Sequence, residues 1–116
     1  MADGGLRHIA LRTRDLKTTE KFYTEVLGLK VAFRVPPSMV FLSTPGSKDL
    51  LNFVGSTKRP SASAGLEHFG FKTTKAGLKR IEKRLKAGGV AIAGRRGKSA
   101  IYIVDPNGYQ IEYYYD

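Results

Sequence analysis

The only two histidines of the sequence occupy equivalent places in an internal repeat. His8 and His68 lie sixty residues apart. Residues 6–13, LRHIALRT, match residues 66–73, LEHFGFKT, in the histidine, the threonine and the apolar positions. Each histidine is the third residue of its segment. If the two halves pack with twofold symmetry, the two imidazoles can converge on a shared ligand such as a metal ion.

The same offset relates Asn52 to Glu112, each of which lies between an aliphatic and an aromatic residue near the end of its half. Strand alternation places Glu112 on one sheet face with Gln110 and Tyr114. Two imidazoles and a carboxylate on one sheet face are suitable ligands for a first-row divalent metal ion. The alternative is that the histidines are hydrogen-bonded structural residues and that Glu112 is solvated.

Each half of the sequence reads as βαβββ, which predicts an α+β protein built from two such modules. Hydrophobic alternation and short apolar runs predict strands at residues 8–13, 30–35, 39–43, 50–54, 68–73, 90–93, 100–104 and 109–115. We expect one domain over residues 1–116, with module one at about 6–56, a linker at 57–65 and module two at about 66–116.

One amphipathic helix is predicted in each half. Asp15 is the expected N-cap of the first helix, and Gly28 ends it. The apolar face of this helix comprises Leu16, Thr19, Phe22, Tyr23, Val26 and Leu27. The second helix has Leu78, Ile81 and Leu85 on its apolar face and ends at Gly88-Gly89.

Composition and charge narrow the classes of function. The 116 residues include no cysteine, which excludes disulfides and thiol catalysis. The longest apolar run has five residues, Ala100–Val104, whereas a membrane span needs about 20. No signal peptide is evident, so a cytoplasmic protein is expected. The net charge of +10 favours an anionic partner, but nucleic acid is not expected because no binding module or aromatic platform is evident.

Two stretches of sequence are diagnostic of a family. The first comprises LRHIALRTRDL at residues 6–16 and FYTEVLGL at 22–29, and the second is YIVDPNGYQIE at 102–112. They resemble the vicinal oxygen chelate superfamily of glyoxalases, bleomycin resistance proteins and extradiol dioxygenases. The resemblance extends over residues 6–115. It implies a glyoxalase-like fold in which two βαβββ modules form a U-shaped cleft, and it implies a homodimer.

The resemblance also implies a set of metal ligands, because metal-binding members carry them on the first and last strands of each module. The matching positions are His8, Asn52, His68 and Glu112, and the ion is Fe, Mn, Ni or Zn, which the sequence does not distinguish. Asn52 departs from the lactoylglutathione lyases, which usually carry Glu there. Because an amide cannot act as a base, a standard glyoxalase I is not expected.

Glu112 and Tyr102 are the candidate catalytic residues. Tyr102 matches a tyrosine that dioxygenases and fosfomycin-type transferases carry ten residues before the glutamate. Its phenol would hydrogen-bond a metal-bound substrate oxygen, or its ring would simply fill the space between strands. The sequence RRGK at residues 95–98 is expected in the turn before the Tyr102 strand, where it suggests an anion-binding role.

The expected function is that of a metal-dependent lyase or dioxygenase acting on a small, oxygen-rich, anionic substrate. The subgroup stays open, because the dioxygenases need a third histidine and the fosfomycin-type enzymes have Thr where this sequence has Ala10. The alternative is a non-catalytic small-molecule binding or antibiotic-resistance protein similar to bleomycin resistance proteins.

Overall fold

The chain folds into two compact units, Met1–Pro60 and Ser61–Asp116. The computed structural model describes residues 4–57 and 65–116. Each unit combines a four-stranded sheet with helical structure, which confirms the α+β fold with two modules. Most of the linker predicted at residues 57–65 lies outside the described residues. In the described part of the chain, no helix is long and apolar enough to cross a membrane.

The first unit has a mixed sheet with the strand order β1-β4-β3-β2. Strand β1 runs parallel to β4, and the other neighbours are antiparallel. A short α-helix passes directly into a π-helical turn, where the sequence predicts one continuous α-helix. The elements are β1 His8–Thr13, α1 Leu16–Lys21, the π-helical turn Phe22–Val26, β2 Lys30–Val35, β3 Met39–Ser43 and β4 Leu50–Gly55.

The second unit repeats this topology, with the strand order β5-β8-β7-β6. Strand β5 runs parallel to β8, and β8 and β6 pair with β7 in antiparallel fashion. The elements are β5 Phe69–Lys72, α2 Lys75–Ala87, β6 Gly94–Arg96, β7 Ala100–Val104 and β8 Gln110–Tyr114.

The first helix begins where the sequence predicts, and the second begins with the same kind of side-chain cap. The Asp15 carboxylate accepts the Thr18 amide at 3.0 Å, and this hydrogen bond lowers the pKa of Asp15 below its ordinary value. The Thr74 hydroxyl accepts the Gly77 amide at 3.0 Å and caps α2 in the same way. Gly28, after the first helix, has φ of 81°, a left-handed conformation that suits glycine.

The predicted strand at residues 90–93 is wrong, because β6 is Gly94–Arg96. The Val90 amide still donates to the Leu85 carbonyl at 2.8 Å, so this residue completes the end of α2. Pairing with β7 begins only where the Ala93 amide donates to the Tyr102 carbonyl at 2.8 Å. The apolar sequence of residues 90–93 is therefore a connection between the helix and the sheet.

In each unit, the helix covers one face of the sheet. The Tyr23 ring, at the start of the π-helical turn, lies 4.9 Å from Phe53 of β4. In each unit an ion pair joins the helix to the edge strand on the sheet face that the helix covers. These pairs are Glu20–Arg34 and Glu82–Arg95. The opposite side, which we call the helix-free face, carries His8, Phe41 and Asn52 in the first unit and His68, Tyr102 and Glu112 in the second.

Candidate functional site

Glu112 is the central polar residue of the second unit. It lies on β8, between Gly70 of β5 and Tyr102 of β7, and it is only 8% exposed. His68 precedes β5 and, by strand alternation, lies on the same face as Gly70. Because Gly70 has no side chain, the imidazole of His68 reaches across to the carboxylate. Its Nε2 lies 3.3 Å from Oε1 of Glu112.

A guanidinium and a phenol complete this cluster. The Arg96 side chain donates to Oε2 of Glu112 at 2.9 Å. The pKa of Arg96 is raised above its ordinary value, mainly by the hydrogen bond with Glu112 and next by a hydrogen bond with Tyr102. The guanidinium therefore stays positively charged. The Tyr102 ring meets the His68 ring edge-on, with centroids 5.5 Å apart and an interplanar angle of 83°. We refer to His68, Arg96, Tyr102 and Glu112 as the Glu112 cluster.

The first unit has the same layout without the charges. Asn52 lies on β4 between Ala10 and Phe41, and it is 4% exposed. The His8 ring lies 5.5 Å from the Phe41 ring, as His68 does from Tyr102. The Asn52 amide nitrogen lies 3.8 Å from the sulfur of Met39. Its carbonyl oxygen is buried and has no hydrogen-bond partner among the described residues.

Strand pairing shows which residues of the two units correspond. Phe41 pairs with Asn52 as Tyr102 pairs with Glu112, so these aromatic residues are equivalent although they are sixty-one residues apart. One strand further out, Phe33 pairs with Phe41 and Gly94 pairs with Tyr102. The equivalent of Arg96, two residues after Gly94, is therefore Val35. A neutral amide thus accompanies valine in one unit, and a carboxylate accompanies arginine in the other.

The four predicted metal ligands fall into two pairs, His8 with Asn52 and His68 with Glu112, each pair on the helix-free face of its unit. No group of three or more His, Asp or Glu side chains that could hold a metal ion occurs within residues 4–57 and 65–116. Two of the four, His68 and Glu112, have donor atoms at a spacing that suits one divalent ion. Ligands bound at 2.0–2.2 Å lie about 3 Å apart when adjacent on one ion, close to the 3.3 Å between His68 and Glu112.

Sequence analysis missed the contact of Arg96 with Glu112. It placed residues 95–98 in a turn, whereas Arg95 and Arg96 belong to β6 and point to opposite faces. Arg95 bonds Glu82 of α2 at 2.7 Å, and Arg96 bonds Glu112. The adjacent arginines were a visible signal, but only the pairing of β6 with β7 shows which of them reaches the carboxylate.

Comparison with known proteins identifies the family. A sequence model of the Glyoxalase/Bleomycin resistance protein/Dioxygenase superfamily matches residues 5–113. The chain therefore belongs to this superfamily, as its two characteristic stretches of sequence suggest.

Solved structures of several functions share the fold. A lactoylglutathione lyase from Agrobacterium tumefaciens has a TM-score of 0.77 and 24% identity, with 98% of this chain and 95% of that chain covered. The fosfomycin resistance protein FosX from Listeria monocytogenes has a TM-score of 0.78 and 20% identity, with 99% of this chain and 95% of that chain covered. The antibiotic binding protein TnmS3 from Streptomyces sp. CB03234 has a TM-score of 0.80 and 20% identity, with 99% of this chain and 98% of that chain covered. At these identities the likeness establishes the fold alone.

Proposed function

We propose that this protein is a metal-dependent enzyme of the superfamily that acts on a small, oxygen-rich, anionic substrate. The observation that carries the proposal is the pair formed by His68 and Glu112. Their donor atoms lie 3.3 Å apart, and Glu112 is a buried carboxylate in the middle of a sheet. An imidazole nitrogen and a carboxylate oxygen are donors that a first-row divalent ion takes.

The proposed ligands are His68 and Glu112 with His8 and Asn52 of the first unit. The buried, unpartnered oxygen of Asn52 supports this assignment, because it is an acceptor that no described residue satisfies. A bound Fe, Mn, Ni or Zn ion would supply Lewis-acid stabilisation of negative charge on substrate oxygens. Tyr102, whose ring meets that of His68, would donate a hydrogen bond to such an oxygen.

The proposal does not extend to ordinary glyoxalase I chemistry. That reaction needs a base to move a proton between adjacent carbons, and the Asn52 amide cannot accept one at neutral pH. Glu112 would have to be both the only charged ligand and the base. We therefore expect little or no turnover of the hemithioacetal of methylglyoxal and glutathione, even with added nickel or zinc.

Calorimetric titration with Zn²⁺ tests the proposal, because imidazole and carboxylate are ordinary zinc ligands. Glu112→Gln removes the only negative charge from the ligand set, so we expect it to lose tight binding while keeping its thermal transition. Glu82→Gln is the matched control, since Glu82 also pairs with an arginine of β6 but lies on the helix side. Equal zinc affinity of the two variants would contradict the proposal.

A second candidate function is binding of a small molecule without chemistry. It is favoured by an exposed aromatic stack on the helix-free face of the first unit. The rings of Phe33 and Phe41 lie 4.3 Å apart at 18°, and Phe33 is 46% exposed. A flat ligand could stack there and donate a hydrogen bond to Asn52. Metal analysis of purified protein after supplementation separates the candidates, since only the enzyme should retain one divalent ion per site.

We also propose that the protein is a homodimer, because superfamily members often form dimers. Since the chain has a mass of 12.8 kDa, light scattering should report about twice that value. A monomer at all concentrations would exclude the dimer without affecting the proposed metal binding.

A further inference from the structure

Arg96 and Glu112 form an ion pair that has no counterpart in the first unit. Arg96 lies on the edge strand β6, and its guanidinium crosses β7 to reach the central strand β8. The equivalent pair of residues, Val35 and Asn52, carries no charge. The arginine therefore occurs only in the unit that has the carboxylate, which indicates that Arg96 is there to interact with Glu112.

Both oxygens of Glu112 are engaged in this arrangement, Oε1 by His68 and Oε2 by Arg96. The proposed metal ion needs the same carboxylate. Arg96 on Oε2 neutralises part of the charge that Oε1 offers to a cation, so the arginine and a divalent ion weaken each other's hold on the carboxylate. The side chain of Arg96 is 58% exposed whereas that of Glu112 is 11% exposed. Arg96 can therefore move away without uncovering the core, but Glu112 cannot.

We propose that Arg96 is the anion-binding residue of this site and that Glu112 holds it only in the metal-free protein. The inference rests on the proposed metal site. When Glu112 exchanges Arg96 for a divalent ion, the guanidinium is freed beside the Tyr102 phenol. A guanidinium binds carboxylate, phosphate and sulfate groups through paired hydrogen bonds. The substrate would therefore carry an oxyanion group next to the oxygens that the metal binds.

The exchange makes cation binding and anion binding mutually favourable. An oxyanion that holds Arg96 frees the carboxylate, and a cation on the carboxylate frees Arg96. The two affinities must rise by the same factor, because linkage is reciprocal. Sulfate is a suitable probe, since it has the tetrahedral oxyanion geometry. We expect sulfate to tighten Zn²⁺ binding by about fivefold or more at constant ionic strength.

The decisive comparison is between Arg96→Met and Arg95→Met. Both variants lose one positive charge from the same strand, but Arg95 pairs with Glu82 on the helix side. Zinc titrations with and without sulfate are run on both variants and on the unmodified protein. Arg96→Met should bind zinc more tightly than the other two without sulfate, and it should lose the sulfate effect. Arg95→Met should behave like the unmodified protein.

The outcomes separate this inference from the proposed function. If Arg96→Met binds zinc no more tightly than Arg95→Met and keeps the sulfate effect, the role of Arg96 is overturned. The metal site still stands in that case if Glu112→Gln weakens binding and Glu82→Gln does not. If the unmodified protein binds no zinc, both ideas fail. Thermal melting of each variant confirms that it is folded.

Discussion

Asn52 and Glu112 show how one strand position can serve two purposes in a repeated fold. Both lie on the central strand next to the parallel first strand, and both are almost fully buried. The carboxylate has a counter-ion from the edge strand of its unit, whereas the edge strand of the first unit has valine at the equivalent position. The side chains on neighbouring strands, and not the backbone, therefore determine whether an amide or a carboxylate can be buried at this position.

This comparison leads to a prediction for Asn52→Glu. The new carboxylate would be buried without a counter-ion, because Val35 stands where the second unit has Arg96. We expect the metal-free variant to lose about 3 kcal/mol of stability, the cost typical of an unpaired buried charge. Zinc should raise its melting temperature more than that of the unmodified protein, since a second carboxylate adds ligand charge. Thermal melts with and without zinc measure both effects.

The double variant Val35→Arg/Asn52→Glu provides the control. An arginine at position 35 should restore part of the lost stability, as Arg96 stabilises Glu112. Val35→Arg alone should change stability little, because Val35 is 39% exposed. If the double variant melts no higher than Asn52→Glu, the correspondence between Val35 and Arg96 does not explain the charge pattern.

At the scale of elements, the start of α2 shows why a glycine occurs in a helix. Gly77 lies in the first turn of α2. A Cβ atom at this position would lie 1.9 Å from the hydroxyl oxygen of Thr73. Thr73 follows β5 and is the repeat partner of Thr13, whose hydroxyl bonds that of Thr19 in the buried part of the first unit. The glycine therefore allows the helix to begin close to the end of the strand.

We predict that Gly77→Ala destabilises the protein. In an ordinary helix this change gains about 1 kcal/mol, but here the added methyl forces a shift that costs about 1–3 kcal/mol. In a Thr73→Ala background the nearest obstruction is gone, so Gly77→Ala should cost less stability than it does alone, although the added Cβ would still lie 3.2 Å from the Thr74 hydroxyl oxygen. A double-mutant cycle by chemical denaturation measures this coupling. A higher stability of the single Gly77→Ala variant would show that Thr73 yields easily.

At the scale of the whole molecule, the proposed function depends on ligands from both units. His8 and His68 are the repeat partners, but among the described residues only His68 has a carboxylate of its own unit within reach. We predict that His8→Gln and His68→Gln each weaken zinc binding by about tenfold or more, because each removes an imidazole ligand. Calorimetric titration decides the matter. If His8→Gln binds zinc as the unmodified protein does, the convergence of the two histidines is wrong.

The charge of the whole molecule bears on its ligands as well. The excess of ten positive charges is spread evenly over the sequence. Several of the described basic side chains are paired within their own unit, as Arg34 is with Glu20 and Arg95 with Glu82. Arg96 differs from these, because its partner is itself a proposed metal ligand. General charge attracts anions to the surface, and Arg96 is the place that we propose for one of them.

The sequence by itself determined the order of helices and strands in each module and the polar residues that its first and last strands carry. Strand alternation has a period of two, so the order of residues alone puts Glu112 on the same face of its strand as Gln110 and Tyr114. The helix N-cap at Asp15 could be read in the same way, because a cap depends on a few adjacent residues. The strands at residues 30–35, 39–43 and 100–104 match their predicted bounds.

Only the tertiary structure decided which side chains meet. The start of β6 depends on where α2 ends and on which residue of β7 its backbone pairs with, and neither is a local property of residues 90–96. Pairing of Gly94 with Tyr102 places Arg96 over Glu112 and sends Arg95 to α2. A shift of one residue would reverse the two arginines, because neighbouring residues in a strand point to opposite faces.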